Sequence, residues 1–470
     1  MSPLLLAAGA LTLCAAVPAL AAQKSQWPGF RGPNHNGVAL AGNPPTEWGD
    51  EKNLAWKLEL PGPGSSSPIV VGDRIYVTCY TGYGHYLDDG GAPKRLALHL
   101  TIVDRNTGKL IANTTIPGER EKEAPRMQLV HHGFATPTPA TNGERIFAYF
   151  GKAGVVAFDL DGKILWQRST GTIPPGDATP TNQVIREGKA LKLRWGAASS
   201  PVLCDGLVLV NASEESNSIR AFDQETGELR WKYESPNLEG CASSPVIAGV
   251  KDARVLVVGL GGEVWGIDPE TGKLAWRVET GTRGGMSPTP VSDGKLVYTF
   301  GGLGKSFALR LGEIDASKFN KPDPKIEEEA DTEPESEQGI VLPKVPYSPR
   351  VAWKSNNLDI PSPVLFNDML FLVSQSGTAS CLSKKDGAEI FKGRLDGRTG
   401  SVYASPIVAG GCVYVVSRKR GTFVYSADGK FKLIARNKID DEAQFNASPA
   451  IVGDRVYLRS DRFLYCIAGS

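Results

Sequence analysis

The sequence predicts an all-β, eight-bladed β-propeller, and three observations carry that expectation. The first is a recurring Ser/Thr-Pro pair followed by apolar residues, a Gly/Asp/Asn turn and an apolar strand. It occurs at Ser67-Pro68, Thr138-Pro139, Ser200-Pro201, Ser244-Pro245, Thr289-Pro290, Ser362-Pro363, Ser405-Pro406 and Ser448-Pro449. The prolines lie 71, 62, 44, 45, 73, 43 and 43 residues apart, so a period of 43 to 45 is lengthened three times by insertions. The second is a turn motif after the anchors, fullest at Ala221-Phe222-Asp223-Gln224-Glu225-Thr226-Gly227-Glu228-Leu229-Arg230-Trp231 and repeated from Gly266 to Trp276. The third lies at the two ends. The last unit stops after its third strand near Ile467, while Asn53-Leu54-Ala55-Trp56-Lys57 reads as an orphan fourth strand.

Each unit accommodates four short strands, here called A to D from the anchor onward, which is the content of one propeller blade. Strand A follows the Ser/Thr-Pro, and strand B follows the Gly-Asp type turn. Strand C ends at the Asp of the motif, and strand D carries the Trp. Thr-Gly or Asp-Gly supplies the positive-φ turn position between C and D. The Asp is expected to accept backbone N–H bonds across that turn. Trp56, Trp166, Trp231, Trp276 and Trp353 are expected to pack between neighbouring blades. Cys381 and Cys466 fall at the strand-C position held elsewhere by Ala157, Ala221, Gly266 and Ala308, so both read as small packing residues. Pairing the orphan strand with the last unit would close the ring and leave no sheet edge exposed.

Composition narrows the class of function. The chain of 470 residues is 41% hydrophobic and 22% charged, with net charge +1, so it lacks the basic excess that a nucleic-acid partner demands. Met1 to Ala22 reads as a secretory signal: Leu4 to Val17 is apolar and Pro18-Ala19-Leu20-Ala21-Ala22 provides a small-residue cleavage site. Residues 23–470 then form a single propeller in a periplasmic or extracellular setting. Leu13 before Cys14 is too bulky for a lipoprotein box, so lipid anchoring is not the expectation. Cleavage leaves Cys79, Cys204, Cys241, Cys381, Cys412 and Cys466, an even number without a Cys-x-x-Cys spacing, and no pairing can be deduced.

Three insertions decide where function is sought. Antiparallel strands alternate in direction, so B-to-C and D-to-A connections share one face of the ring. Tyr80 to Leu98, Ile116 to Gly133 and Thr170 to Gly196 are connections of these two kinds in consecutive blades. They carry Tyr83, His85, Tyr86, Arg126, His131, His132, Arg186, Arg194 and Trp195, residue types that anchor interfaces, and these are the candidate partner-binding residues. Residues 312–349 form an acidic insertion between strands C and D of the fifth blade, on the opposite face. Its stretch Lys321 to Glu337 holds two Lys against eight Asp or Glu, so it is expected to be disordered.

The repeat resembles the PQQ-binding-like, quinoprotein-type β-propeller family, whose units carry Ala-x-Asp-x-x-Thr-Gly-x-x-x-Trp, over Trp27 to Ile467. The opening Trp27-Pro28-Gly29-Phe30-Arg31-Gly32-Pro33 is similar to the N-terminal segment of exported members. The resemblance implies either of two activities. A dehydrogenase of this type would hold PQQ with calcium in the central funnel, against a disulfide of adjacent cysteines and beside a catalytic Asp. This chain has no Cys-Cys dipeptide, no haem-attachment site and no acidic cluster at the strand-A entries. Those entries hold Phe134, Trp195, Cys241, Met286, Tyr403 and Asn446. The other implied activity is that of the outer-membrane β-barrel assembly scaffold, an eight-bladed propeller without a cofactor. The expectation is therefore a non-enzymatic, monomeric scaffold for a protein or peptide partner, peripheral to a membrane complex, with no cofactor and no catalytic or metal residues. A PQQ-dependent dehydrogenase of alcohols or sugars is the alternative.

Overall fold

A computed structural model of the chain describes residues 26–84, 91–118, 128–129, 133–172, 183–186, 189–192, 196–250, 253–280, 287–301, 305–311, 349–355, 361–395 and 399–469. Eight four-stranded antiparallel sheets are arranged as the blades of a closed propeller. In blade 1 the strands are Ile69–Val71, Arg74–Thr81, Ala97–Asp104 and Leu110–Pro117, in the order A-B-C-D. Blade 3 repeats this with Val202–Cys204, Leu207–Ala212, Ser218–Asp223 and Leu229–Glu234. Strands B and C are buried along most of their length in each, because each blade is covered on both faces by its neighbours.

Ring closure follows the expectation. Strand D of blade 8 is Leu54–Glu59, which pairs antiparallel with Phe463–Ala468 in the register Trp56↔Cys466 and Leu58↔Leu464. The fifth blade pairs Lys305–Arg310 with Arg350–Ser355, so its C and D strands meet although the acidic insertion separates them in sequence. That insertion, residues 312–348, and residues 1–25, which include the expected signal segment, lie outside the described residues.

The repeat motif has a physical job in three dimensions. Each C–D hairpin carries a bulge one residue before or after the strand-C small residue, as between Ala221↔Trp231 and Phe222↔Leu229. The Trp is thereby turned onto the next blade. Its indole N–H donates to a carbonyl in that blade's C–D turn: Trp56 to Arg105 O, 3.1 Å; Trp166 to Gln224 O, 3.1 Å; Trp231 to Pro269 O, 2.9 Å; Trp353 to Lys384 O, 2.9 Å. The ring rests on the turn glycine. A Cβ at Gly227, Gly272 or Gly387 would come within 2.6, 2.5 and 2.5 Å of it, so φ and space both demand glycine there.

Four blades depart from this rule, two of them because blades 1 and 6 hold Ala112 and Phe391 at the Trp position. Trp276 of blade 4 is fully buried, yet its indole nitrogen has no hydrogen-bond partner among the described residues. Trp276 folds over its own strand C instead, which requires Gly266, since a Cβ there would lie 2.1 Å from the indole. In blade 7 the Trp position holds Ala435, and Trp48 from the N-terminal segment stacks on Tyr414 of that blade at 6.2 Å and 13°. Cys381 and Cys466 are buried opposite Phe391 and Trp56, the packing role their position predicts. All six cysteines among the described residues are free thiols.

Candidate functional site

The anchors that define the repeat also build the wall of the central channel. At six of the eight strand-A entries a Ser or Thr hydroxyl accepts the backbone N–H of the preceding blade's anchor residue. The links are Ser67 to Thr138 at 2.9 Å, Thr138 to Ser200 at 3.0 Å and Ser200 to Ser244 at 2.9 Å, then Thr289 to Ser362 at 2.9 Å, Ser362 to Ser405 at 3.0 Å and Ser405 to Ser448 at 2.8 Å. This belt satisfies N–H groups at the inner ends of the sheets, which no ladder can reach. It explains why the residue before each proline is hydroxylated, a regularity visible in the sequence but given no cause there.

One end of the channel is crossed by the N-terminal segment. Trp27 exchanges backbone hydrogen bonds with Val70 of blade 1, and Pro28 accepts from Thr141 of blade 2. Across the ring, the Arg31 guanidinium donates to Pro363 O of blade 6, and Gly37 and Ala39 bond to Val408 of blade 7. The segment thus straps opposite sides of the ring together at the A–B turn end. Arg31 is 1% exposed, and burial pushes its pKa down to about 9.

Above the strap lies a well of about 430 Å3. Phe30 is at its strap end, the hydroxyl belt forms its wall, and Glu214, Gln375, Tyr403 and Asn446 come from connections at the other end. Gln375 Nε2 donates to Tyr403 Oη at 2.9 Å, and Arg418 stacks on the Tyr403 ring at 5.1 Å. Asn446 Oδ1 is buried without a hydrogen-bond partner among the described residues. Glu214 is the one carboxylate of this lining, and no Lys, Arg or His belongs to it among the described residues.

Such a lining can donate and accept many neutral hydrogen bonds, but it does not suit the group a quinoprotein would hold there. PQQ carries three carboxylates and needs cations opposite them; calcium needs several oxygen anions. Among the described residues no three His, Cys, Asp or Glu side chains gather to hold a metal. Nor is a cysteine placed as redox partner. Cys241 is buried, donates to Gly259 O at 2.8 Å, and burial pushes its thiol pKa up to about 11.

The six strand-entry residues separate on inspection. Tyr403 and Asn446 line the well; Cys241 lies behind it, with Gly240 and Ala242 at the wall. Phe134 faces a different pocket of about 100 Å3 between blades 1, 2 and 3, beside Gln128, Lys152 and Glu215. There Tyr149 donates to Glu215, and burial followed by that carboxylate's charge raises the phenol pKa well above its ordinary value. Trp195 and Met286 lie outside the described residues.

Of the candidate partner-binding residues, His85, Tyr86, Arg126, His131, His132, Arg194 and Trp195 also lie outside the described residues. Arg186 ends the described hairpin Gln183–Arg186 with Lys189–Lys192. Tyr83 is 7% exposed, with its ring 5.8 Å from Phe134, and packs in the core shared by blades 1 and 2. His99, beside the same insertion, is 6% exposed and bound to Thr81 Oγ1 at 2.8 Å and Thr115 Oγ1 at 3.1 Å. Phe30, Gln375 and Glu214 were not foreseen, because they reach the channel from the strap and from B-to-C connections rather than from the repeat.

Comparison with known proteins agrees with this architecture. The family model described as outer membrane protein assembly factor BamB matches residues 99–322 and 346–465. Crystal structures of BamB from Moraxella catarrhalis (12% identity, TM-score 0.56, covering 88% of this chain and 96% of that one) and of quinohemoprotein alcohol dehydrogenase from Comamonas testosteroni (13% identity, TM-score 0.56, covering 98% and 83%) share the fold. A polyvinylalcohol dehydrogenase of Pseudomonas sp is 26% identical over 266 residues, which is 44% of this chain and 40% of that enzyme. The matched stretch therefore spans about two-fifths of that curated relative.

Proposed function

Because the chain belongs to the family described as outer membrane protein assembly factor BamB, we propose that it is an exported, non-enzymatic scaffold. In this reading it binds a protein or peptide partner through its loop-rich face. The observation that carries the proposal is the placing of the connections between Thr81 and Ala97, Pro117 and Ala140, and Arg168 and Val202. The strands that flank all three end on the same face of the ring in adjoining blades, where binding loops on a rigid scaffold are expected. The described channel lining, with a single carboxylate, supports a role that draws on no quinone. No helix among the described residues is long and apolar enough to cross a membrane, which suits peripheral attachment as well as a free periplasmic or extracellular chain.

The second reading, a PQQ-dependent dehydrogenase of alcohols or sugars, is favoured by the likeness to polyvinylalcohol dehydrogenase. One experiment separates the two. Purified protein is mixed with PQQ and Ca²⁺ and assayed for quinone binding and dye reduction with alcohols and aldoses. The scaffold reading expects neither; stoichiometric quinone with turnover overturns it. In parallel, deletion of 83–92 and of 174–189 should abolish capture of the native partner while unfolding stays cooperative. Survival of capture after both deletions, with loss on removing 321–337, would place the binding face on the opposite side.

A further inference from the structure

We propose that the central well is itself a binding site, for a neutral polyhydroxylated ligand of the carbohydrate class. The argument begins with hydrogen-bond capacity. Each belt hydroxyl accepts one backbone N–H, as Ser200 accepts from Thr138 at 3.0 Å, and keeps its own O–H for a second partner. Six of the eight blade junctions carry such a link around one cavity, so much of the wall offers O–H donors. Asn446 lines the same well, and a turn of its amide would bring to a ligand the Oδ1 acceptor, which has no partner among the described residues. A buried, unspent polar atom is costly unless a ligand or water completes it.

Ligand charge is decided by the same lining. With Glu214 as its one carboxylate and no cation among the described residues, the well would penalise an anion. It is equally poor for an apolar molecule, which would leave the wall hydroxyls unpaired. A sugar ring answers both demands: several hydroxyls at its rim, and a C–H face that can lie on the Phe30 ring at the strap end or against Tyr403 at the other. The volume of about 430 Å3 falls in the range of small-ligand sites and is ample for one or two hexose units. The strap closes the far end, so a longer glycan would enter by its terminus. This site is distinct from the loop face of the preceding section, and neither depends on the other.

The test is a calorimetric titration of the full chain with cellobiose and maltose, with digalacturonic acid as the charged comparator. One of the neutral disaccharides is expected to bind one per chain, and the diacid at least tenfold more weakly. Asn446→Leu should weaken the neutral ligand about fivefold by removing one acceptor, with the unfolding midpoint retained. Phe30→Ala should weaken it further; if that variant loosens the strap, Asn446→Leu alone decides. Absence of saturation by either disaccharide at millimolar concentration overturns the proposal. So does an affinity unchanged by Asn446→Leu, or equal binding of the diacid.

Discussion

Trp231 provides the sharpest test of how the blades hold one another. Its side chain is 9% exposed, its N–H reaches Pro269 O at 2.9 Å, and its ring covers Gly272 of the next blade. Replacement by alanine removes that contact area and leaves a cavity at a junction between two rigid sheets, which costs roughly 3–5 kcal/mol where the site cannot collapse. The partner position can be perturbed independently. Gly272 has φ +74° and its Cβ would meet the indole at 2.5 Å, so Gly272→Ala combines a left-handed backbone penalty of about 1–2 kcal/mol with an overpacking cost of about 1–3 kcal/mol. In the double variant the clash disappears and the backbone penalty stays. The two changes should therefore fall short of additivity by about 1–3 kcal/mol. Urea denaturation followed by circular dichroism measures all four proteins, with equal slopes required before midpoints are compared. An unchanged midpoint for Trp231→Ala, or strict additivity with Gly272→Ala, would refute inter-blade packing of the tryptophan on the glycine.

Further outcomes follow from other parts of the ring. Ser200→Ala should destabilise by about 1–3 kcal/mol, because it orphans the buried Thr138 N–H, whereas Ser200→Thr should be tolerated, as threonine holds the same place at 138 and 289; equilibrium unfolding distinguishes them. Thiol titration with Ellman's reagent at pH 8 should label none of the six buried cysteines in the folded protein and all of them in denaturant, since burial pushes Cys204, Cys381 and Cys466 up to about 12, 12 and 11. The Thr226 N–H and its neighbour at Glu225 hold the Asp223 carboxyl below its ordinary range; stability it contributes is present above pH ~4 and lost as pH falls through the lowered folded value, so acid-unfolding curves of Asp223→Asn should be flatter there than those of the wild type.

Much of the fold could be read from the chain because its rules are local and repeated. Ser/Thr-Pro, the Asp-x-x-Thr-Gly turn and the Trp form patterns that are each written within a dozen residues, and eight copies of the anchor remove ambiguity. The small residue opposite the Trp, down to Cys381 and Cys466, was legible for the same reason. What escaped is what crosses the ring. The hydroxyl of Ser405 is spent on the preceding blade, Trp48 serves a blade seven units along the chain, and Phe30 reaches a channel made by residues hundreds of positions away. No periodic signal marks such contacts. Trp276 shows the converse: its motif is complete, yet its indole N–H has no acceptor among the described residues, and its ring lies over Gly266 of its own blade.

The closure of blade 8 by Leu54–Glu59 also sets an order of events during folding. Residue 54 cannot find its partner until residue 467 has left the ribosome or translocation machinery. Joining ends that far apart in a free chain costs about 5 kcal/mol in loop entropy, whereas in a nearly complete ring the ends already face each other. Successive blades are therefore expected to stack first, each on its neighbour, with the clasp and the strap engaging last. Until then Phe463–Ala468 is an unpaired edge, open to a second chain. Crowded or slow maturation should consequently yield clasp-exchanged dimers before it yields unfolded monomer, and chaperone protection should matter most for the final strand.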